Sequence, residues 1–161
     1  MTTALPATTD QNLNTTLARV ATEIGRTDSK ASLLLAFDGA ALAGIAGLAD
    51  KPLPLATKVI GGLAALTLAA AAVLLLLVVR PRLGGTTPAP GSFPHLAQLS
   101  ETEIPDVMAQ DYRAANLRVL SALTVRKFTA LASAVDLILA ALGLLVLAAA
   151  AAPASTVLAS L

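Results

Sequence analysis

The chain has no cysteine and no tryptophan. Without cysteine there are no disulfides, no thiolate nucleophile and no cysteine-ligated metal. The single histidine, His95, lies in a Pro/Gly-rich stretch and is read as a solvated loop residue, not as a ligand or a catalytic base. Aromatic residues are confined to Phe37, Phe93, Tyr112 and Phe128, too few for a stacking platform, so direct nucleic-acid binding is not expected. No Ser/His/Asp set and no glycine loop following a strand can be assembled. The expectation is a protein without catalytic residues, metal or cofactor, and not an enzyme. Charge is scarce as well: 13% of residues are charged, against about 25% in soluble domains. What remains is 56% hydrophobic, mostly Ala and Leu in long runs.

Three of these runs approach or exceed the ~20 residues a helix needs to cross ~30 Å of hydrocarbon. They are Ala31 to Ala49, Leu55 to Val79 and Phe128 to Ala152, the last expected to stop at Pro153. Backbone groups cannot be left unpaired in lipid, so all three are predicted to be helical. The first starts too far from Met1 for a signal peptide and is expected to be retained. The fold class is therefore an all-α integral membrane protein with three transmembrane helices, and its partner is the lipid bilayer. Positive residues set the orientation. Arg19, Arg26 and Lys30 precede the first span, and Arg80, Arg82, Arg113, Arg118, Arg126 and Lys127 separate the second from the third. The expectation is a multi-pass protein of the inner (plasma) membrane, N-terminus cytoplasmic and C-terminus outside, with an outer turn at Asp50 to Pro54.

Residues 1–9 read as a disordered terminus and 10–161 as one helical membrane domain with a cytoplasmic section over 80–127. Leu13, Leu17, Val20 and Ile24 recur at helical spacing, and no stop separates them from the first span. One helix of about forty residues is predicted. Pro81 to Pro94 reads as a flexible linker. Ser100-Glu101-Thr102-Glu103 has the pattern of a capping box, with Pro105 suited to a first turn. From there Met108, Tyr112, Ala115 and Val119 share a face, and the helix is expected to run unbroken into the third span. The first and third spans thus extend into the cytoplasm as a helical pair.

Asp38 and Asp136 are intramembrane polar residues. Each lies roughly 12–13 Å along its helix from a basic residue at the cytoplasmic edge, Lys30 and Lys127 respectively. A carboxylate at that depth costs several kcal/mol unless compensated. Three arrangements satisfy it: a neutral acid hydrogen-bonded to neighbouring helices, two acids sharing a proton, or a water-filled path. Gly39, Ala43 and Gly47 form one ridge of small residues and Ala36, Ala40 and Gly44 another. Such ridges permit close helix association, and a homo-oligomer is expected. Arg26, Asp28, Lys30, Arg126 and Lys127 cluster at the membrane edge, which suits anionic headgroups or a phosphate-bearing ligand.

The segment Glu23-Ile24-Gly25-Arg26-Thr27-Asp28-Ser29-Lys30-Ala31-Ser32-Leu33-Leu34 resembles the signature entering the first span of the Pycsar effector transmembrane family. Asn116, Arg118, Arg126 and Lys127 resemble its second patterned region, and the likeness runs from about Ala18 to Ala150. The chain departs from the family at Asp38, where Asn is frequent. The resemblance implies antiviral defence by abortive infection: a partner cyclase makes cyclic CMP or cyclic UMP, and the effector responds by impairing the inner membrane. Ligand binding is expected at the charged cytoplasmic edge of the two long helices, on Arg26, Asp28, Lys30, Arg118, Arg126 and Lys127. Similar proteins in mycelial actinobacteria are labelled integral membrane plasmid transfer proteins. A role in plasmid spread is thus the alternative, and a passive membrane assembly subunit is a third.

Overall fold

The computed structural model describes residues 7–80, 88 and 90–158. Among these the elements are α1 (Ala7–Ala46), α2 (Leu55–Val79), α3 (Phe93–Leu96), α4 (Ile104–Met108) and α5 (Arg113–Leu158), with no strand. Three helices, α1, α2 and α5, are long and apolar enough to cross a membrane. The chain is an all-α integral membrane protein, as expected, and α1 and α5 both continue well beyond the apolar runs that open them to lipid. Contacts divide it into two compact units: Met1–Thr27 with Arg80–Lys127, and Asp28–Val79 with Phe128–Leu161.

The second, membrane unit packs parts of α1, α2 and α5 around one apolar core. Its inward positions alternate steps of three and four. They are Ala31, Leu34, Asp38, Ala41 and Ile45 on α1; Ala64, Leu68, Ala71, Leu75 and Val78 on α2; Leu131, Ala134, Ile138 and Ala141 on α5. This 3.5-residue period is that of knobs-into-holes packing. Alanine alternates with Leu, Ile or Val, so backbones approach closely where the side chain is small and the larger neighbour fills the space. The outward face of α2 is bulky and aliphatic, with Val59, Leu63, Leu66, Val73 and Leu76 all exposed on the protomer. Ser32 and Thr67 turn their hydroxyls onto their own backbone, to the Asp28 carbonyl at 3.0 Å and the Leu63 carbonyl at 2.8 Å, whereas the buried Thr57 hydroxyl has no partner.

The connection between α1 and α2 behaves as its sequence implies. Gly47 to Asp50 form turns, with the Lys51 N–H bonded to the Leu48 carbonyl at 3.1 Å. Pro52 and Pro54 have no N–H to continue α1, and the Pro54 carbonyl accepts the Lys58 N–H at 3.0 Å to open α2. The first span therefore closes at Ala46, three residues before the expected Ala49.

The predicted long helix forms as α1, 40 residues starting at Ala7 and not near Asp10, and its part up to Thr27 belongs to the first unit. Met1 to Pro6 lie outside the described residues, as does most of the expected linker, 81–87 and 89. Leu13, Leu17, Val20 and Ile24 are half-buried and Thr27 is fully buried, so the predicted stripe is the inward one. The capping box forms by half. The Glu103 Oε2 accepts the Ser100 N–H at 2.8 Å, but the Ser100 hydroxyl donates to the same oxygen at 2.7 Å instead of accepting a backbone N–H. These two bonds hold the Glu103 carboxyl below its usual range.

Two expectations are corrected. The helix leading to the third span is not continuous from Pro105: α4 ends at Met108 and α5 starts afresh at Arg113. Asp111 causes the break, because its Oδ1 takes the Arg113 N–H at 3.0 Å while the Tyr112 carbonyl takes the Asn116 N–H at 2.9 Å. The supposed face Met108, Tyr112, Ala115 and Val119 is thereby dissolved: Met108, Ala115 and Val119 are exposed, and Leu117, Leu120 and Thr124 turn inward. Nor does Pro153 end the last helix, which runs on to Leu158. A proline loses one hydrogen bond there, which membrane helices tolerate.

The inward and outward faces of α2 should respond differently to truncation. Leu68→Ala, at a position with no exposure, is expected to cost about 2–4 kcal/mol of stability in detergent by leaving a cavity. Leu66→Ala, at a position 69% exposed, should leave the unfolding midpoint nearly unchanged. Equal losses for the two would contradict the assigned faces.

Candidate functional site

In the first unit the centre of the polar contacts is Arg113, in the first turn of α5. Its guanidinium donates to Asp111, through Nε at 2.9 Å and Nη2 at 2.8 Å. It also donates to the Asn14 Oδ1 at 3.0 Å and, through Nη2, to the Asp10 carboxylate. Asp10 and Asn14 are one turn apart on α1, so a single planar fork ties the start of α1 to the start of α5. The side-chain and backbone bonds from Arg113 pull the Asp111 carboxyl down to about 2, and Asp111 followed by Asp10 hold the Arg113 guanidinium above its usual range. Sequence reasoning counted Arg113 only as a charge. The signal was present in the Asp111-x-Arg113 spacing and in the Asp10/Asn14 pair, but nothing in the sequence joined the two.

Beside this fork lies a cavity of about 370 Å³ bordered by Gly91, Val107, Met108, Tyr112 and Asn116. Gly91 has φ +72°, and a Cβ there would meet the Tyr112 ring at 2.9 Å, so no other residue fits. The Gly91 N–H donates to the His95 Nδ1 at 3.1 Å. His95 is thus a turn-closing residue rather than a freely solvated one. The fork's cation is already matched by two carboxylates, so this cavity offers little to an anion.

A second surface has the opposite character. Arg118 and Arg126 flank an apolar floor of Ala115, Val119, Ala122 and Leu123 on α5, enclosing about 430 Å³. No acidic side chain lines it. Two exposed guanidiniums about two helical turns apart, over aliphatic carbon, suit an anion carrying a flat apolar group. Of the other expected ligand-binding residues, Arg26 is exposed and paired with Glu23 at 3.1 Å, a surface pair of small energetic weight. Lys127 is half-buried in the first unit. Asp28, half-buried, and Lys30, exposed, belong to the membrane unit.

In the membrane unit Asp38 has no exposure, and neither carboxylate oxygen has a hydrogen-bond partner. Asp136, by contrast, is exposed on the outward side of α5. The arrangement leaves no shared-proton pair within one chain and no helix-to-helix hydrogen bond for Asp38. Both small-residue ridges also face outward: Gly39, Ala43, Gly47, Ala36, Ala40 and Gly44 are exposed, and a Cβ on Gly39 or Gly44 would meet nothing within 4 Å. They take no part in packing the protomer.

Among comparisons with known proteins, the family model described as the Pycsar effector protein domain matches residues 12–154. The match covers most of the chain, including the membrane unit's core, the Arg118/Arg126 surface and the fork's Arg113, Asp111 and Asn14, but not its Asp10. No curated protein and no solved structure matches the chain.

The Arg113 fork carries a pH dependence. Asp111 titrates near 4 when unfolded and about 2 when folded, so its stabilisation is complete above about pH 5 and is lost as pH falls through 2. Thermal midpoints of the full chain in detergent should therefore drop between pH 5 and 2, and Asp111→Asn should make that drop shallower. Identical acid limbs in the two proteins would show that the fork does not stabilise the fold.

Proposed function

The chain belongs to the Pycsar effector family, and from that premise we propose that it is the membrane-impairing arm of an anti-phage defence system, switched on by a cyclic pyrimidine nucleotide made by a partner cyclase. The observation that carries this reading is the acid-free Arg118/Arg126 surface on α5. The phosphate of cyclic CMP or cyclic UMP pairs with the guanidiniums, and its base and ribose lie over Val119, Ala122 and Leu123. A cyclic nucleotide is made inside the cell, so the surface faces the cytoplasm. The positive residues before the first span and between the second and third support the same orientation, with the N-terminus inside and the C-terminus outside. The chain performs no catalysis in this scheme; it converts ligand binding into a change in the membrane.

The helix that bears this surface is the one that supplies Leu131, Ala134, Ile138 and Ala141 to the membrane core. Binding at Arg118 and Arg126 shifts α5, and the core it helps to form loosens. That core holds an unpartnered carboxyl, Asp38, which costs about 3 kcal/mol or more in hydrocarbon and favours any arrangement that gives it water or a partner. Association of several copies then provides that arrangement and a leak across the bilayer. Arg26, Lys30 and Lys127 contribute positive field and headgroup contacts at the membrane edge, with Asp28 among them as the acid of the cluster.

Co-expression with a cyclase that makes cyclic CMP or cyclic UMP is expected to depolarise cells, read with a potential-sensitive dye. Arg118→Ala and Arg126→Ala should each raise the nucleotide level required roughly tenfold, the loss of one charge-assisted contact, and the double variant should abolish the response. Full depolarisation by the double variant would remove the surface from the mechanism. Asp38→Leu should raise the thermal midpoint in detergent while reducing depolarisation, because the resting core no longer holds an unpaired acid. A lower midpoint together with unchanged depolarisation would refute the role given to Asp38.

A further inference from the structure

The lipid-facing side of this protein can be recognised from α2, whose outward positions are Val59, Leu63, Leu66, Val73 and Leu76. The outward side of α5 in the same unit is built differently. Diametrically opposite its core seam, at intervals of seven residues, stand Thr129, Asp136 and Gly143, all exposed. Ser133 and Ala140, also exposed, border that line. Gly143 has open space where a Cβ would be. Bulky aliphatics, which cover α2, flank the line at Leu139 and Val146 and return beside it only at Leu147, one turn beyond Gly143. Asp136 sits eight residues into the apolar run that begins at Phe128, roughly 12 Å along the helix. A carboxyl at that depth facing acyl chains is costly, and the one Lys or Arg inside the three apolar runs, Lys58, sits in the first turn of α2 and not on α5.

We infer that this face of α5 is covered by the same face of a second copy of the chain, in a parallel two-fold contact centred on Asp136. Two features favour a copy over another membrane protein. Protomers inserted with the same orientation present every residue of such a stripe to its own twin, so close approach at one small residue is matched across the interface. The line also repeats every seven residues, the period of left-handed helix pairing, and a second copy has that period in register. At the centre the two Asp136 carboxyls meet and share a proton, since two adjacent carboxyls do not both ionise, with the Ser133 hydroxyls one turn away. Gly143 allows the backbones to close together on one side of the acid pair. Asp136 is thereby removed from lipid without any cation. The contact supplies the surface for the assembly step of the proposed function and rests on that reading for its role, but not for its existence.

The absence of cysteine makes the contact directly readable. Gly143→Cys and Ser133→Cys, made singly and oxidised in native membranes, are expected to give a disulfide-linked dimer. Leu66→Cys, on the outward face of α2, should give about tenfold less at equal expression. Adding Asp136→Leu to the Gly143→Cys chain should lower the dimer yield roughly tenfold, while Asp136→Asn, which still hydrogen-bonds to its twin, should retain most of it. Detergent-resistant insertion of each variant is checked by alkaline extraction, and the two cysteine positions stand in for each other should one fail to insert. Equal yields from Gly143→Cys and Leu66→Cys, or a cross-linked product whose mass is that of the chain plus a different protein, would overturn the inference. A dimer that forms without any depolarisation on nucleotide addition upholds the contact and counts against the proposed function alone.

Discussion

The demand that a backbone in hydrocarbon satisfy its own hydrogen bonds governs this molecule. It forces the three apolar runs into helices, and helices without a hydrophobic driving force between them hold together only by close fit. The fit here comes from a repeat of seven residues in which alanine and larger aliphatic residues alternate on the inward side of α1, α2 and α5. A core of this kind has little slack. Most of its buried positions are Ala, Leu, Ile or Val, and the polar exceptions, Thr57 and the ionisable Asp38, have side-chain oxygens that no polar atom answers. Close packing makes the resting bundle stable, and the same closeness makes one unanswered carboxyl a standing reason to rearrange.

The first unit is held by different physics. Its contacts centre on a guanidinium shared among Asp111, Asp10 and Asn14, where charge, planarity and hydrogen-bond direction must all agree. Half-buried leucines at Leu13, Leu17, Leu117 and Leu120 add apolar area, but polar matching sets the register of α1 against α5 in this unit. Arg113 is fully engaged there, whereas Arg118 and Arg126 line a surface without an acid. The two arginine environments lie less than four turns apart on one helix and have opposite assignments: one is saturated, the other lacks any acid along its lining.

The architecture was readable from the sequence wherever a single physical rule dominated. Uninterrupted apolar length located the spans, the Pro52/Pro54 pair located the turn, and the spacing of Leu13, Leu17, Val20 and Ile24 gave the inward face of α1. It was not readable where a side chain overruled a periodic pattern. Asp111 carries no helix-breaking backbone, yet its carboxylate captures the Arg113 N–H and restarts the helix, which rotates Met108 and Val119 outward. The two intramembrane acids show the same limit. Depth along a helix can be counted in residues, and both acids were correctly placed within apolar runs. Which way each one points depends on the face its neighbours bury, and there the acids part: Asp38 inward, Asp136 outward.

That difference in direction gives the two acids different consequences. An inward acid burdens the fold of a single protomer, and its cost falls only if the bundle changes. An outward acid leaves the protomer's core untouched and burdens its contact with lipid, so its cost falls when another protein surface arrives. Polar atoms are so few in these spans that each has a visible effect on the balance. With aliphatic residues at both positions the chain would be a more stable three-helix bundle with less reason to change shape or to associate. In the proposed scheme, in which the protein rests in the membrane until a signal arrives, the two opposed acids provide one handle on conformation and a separate one on assembly.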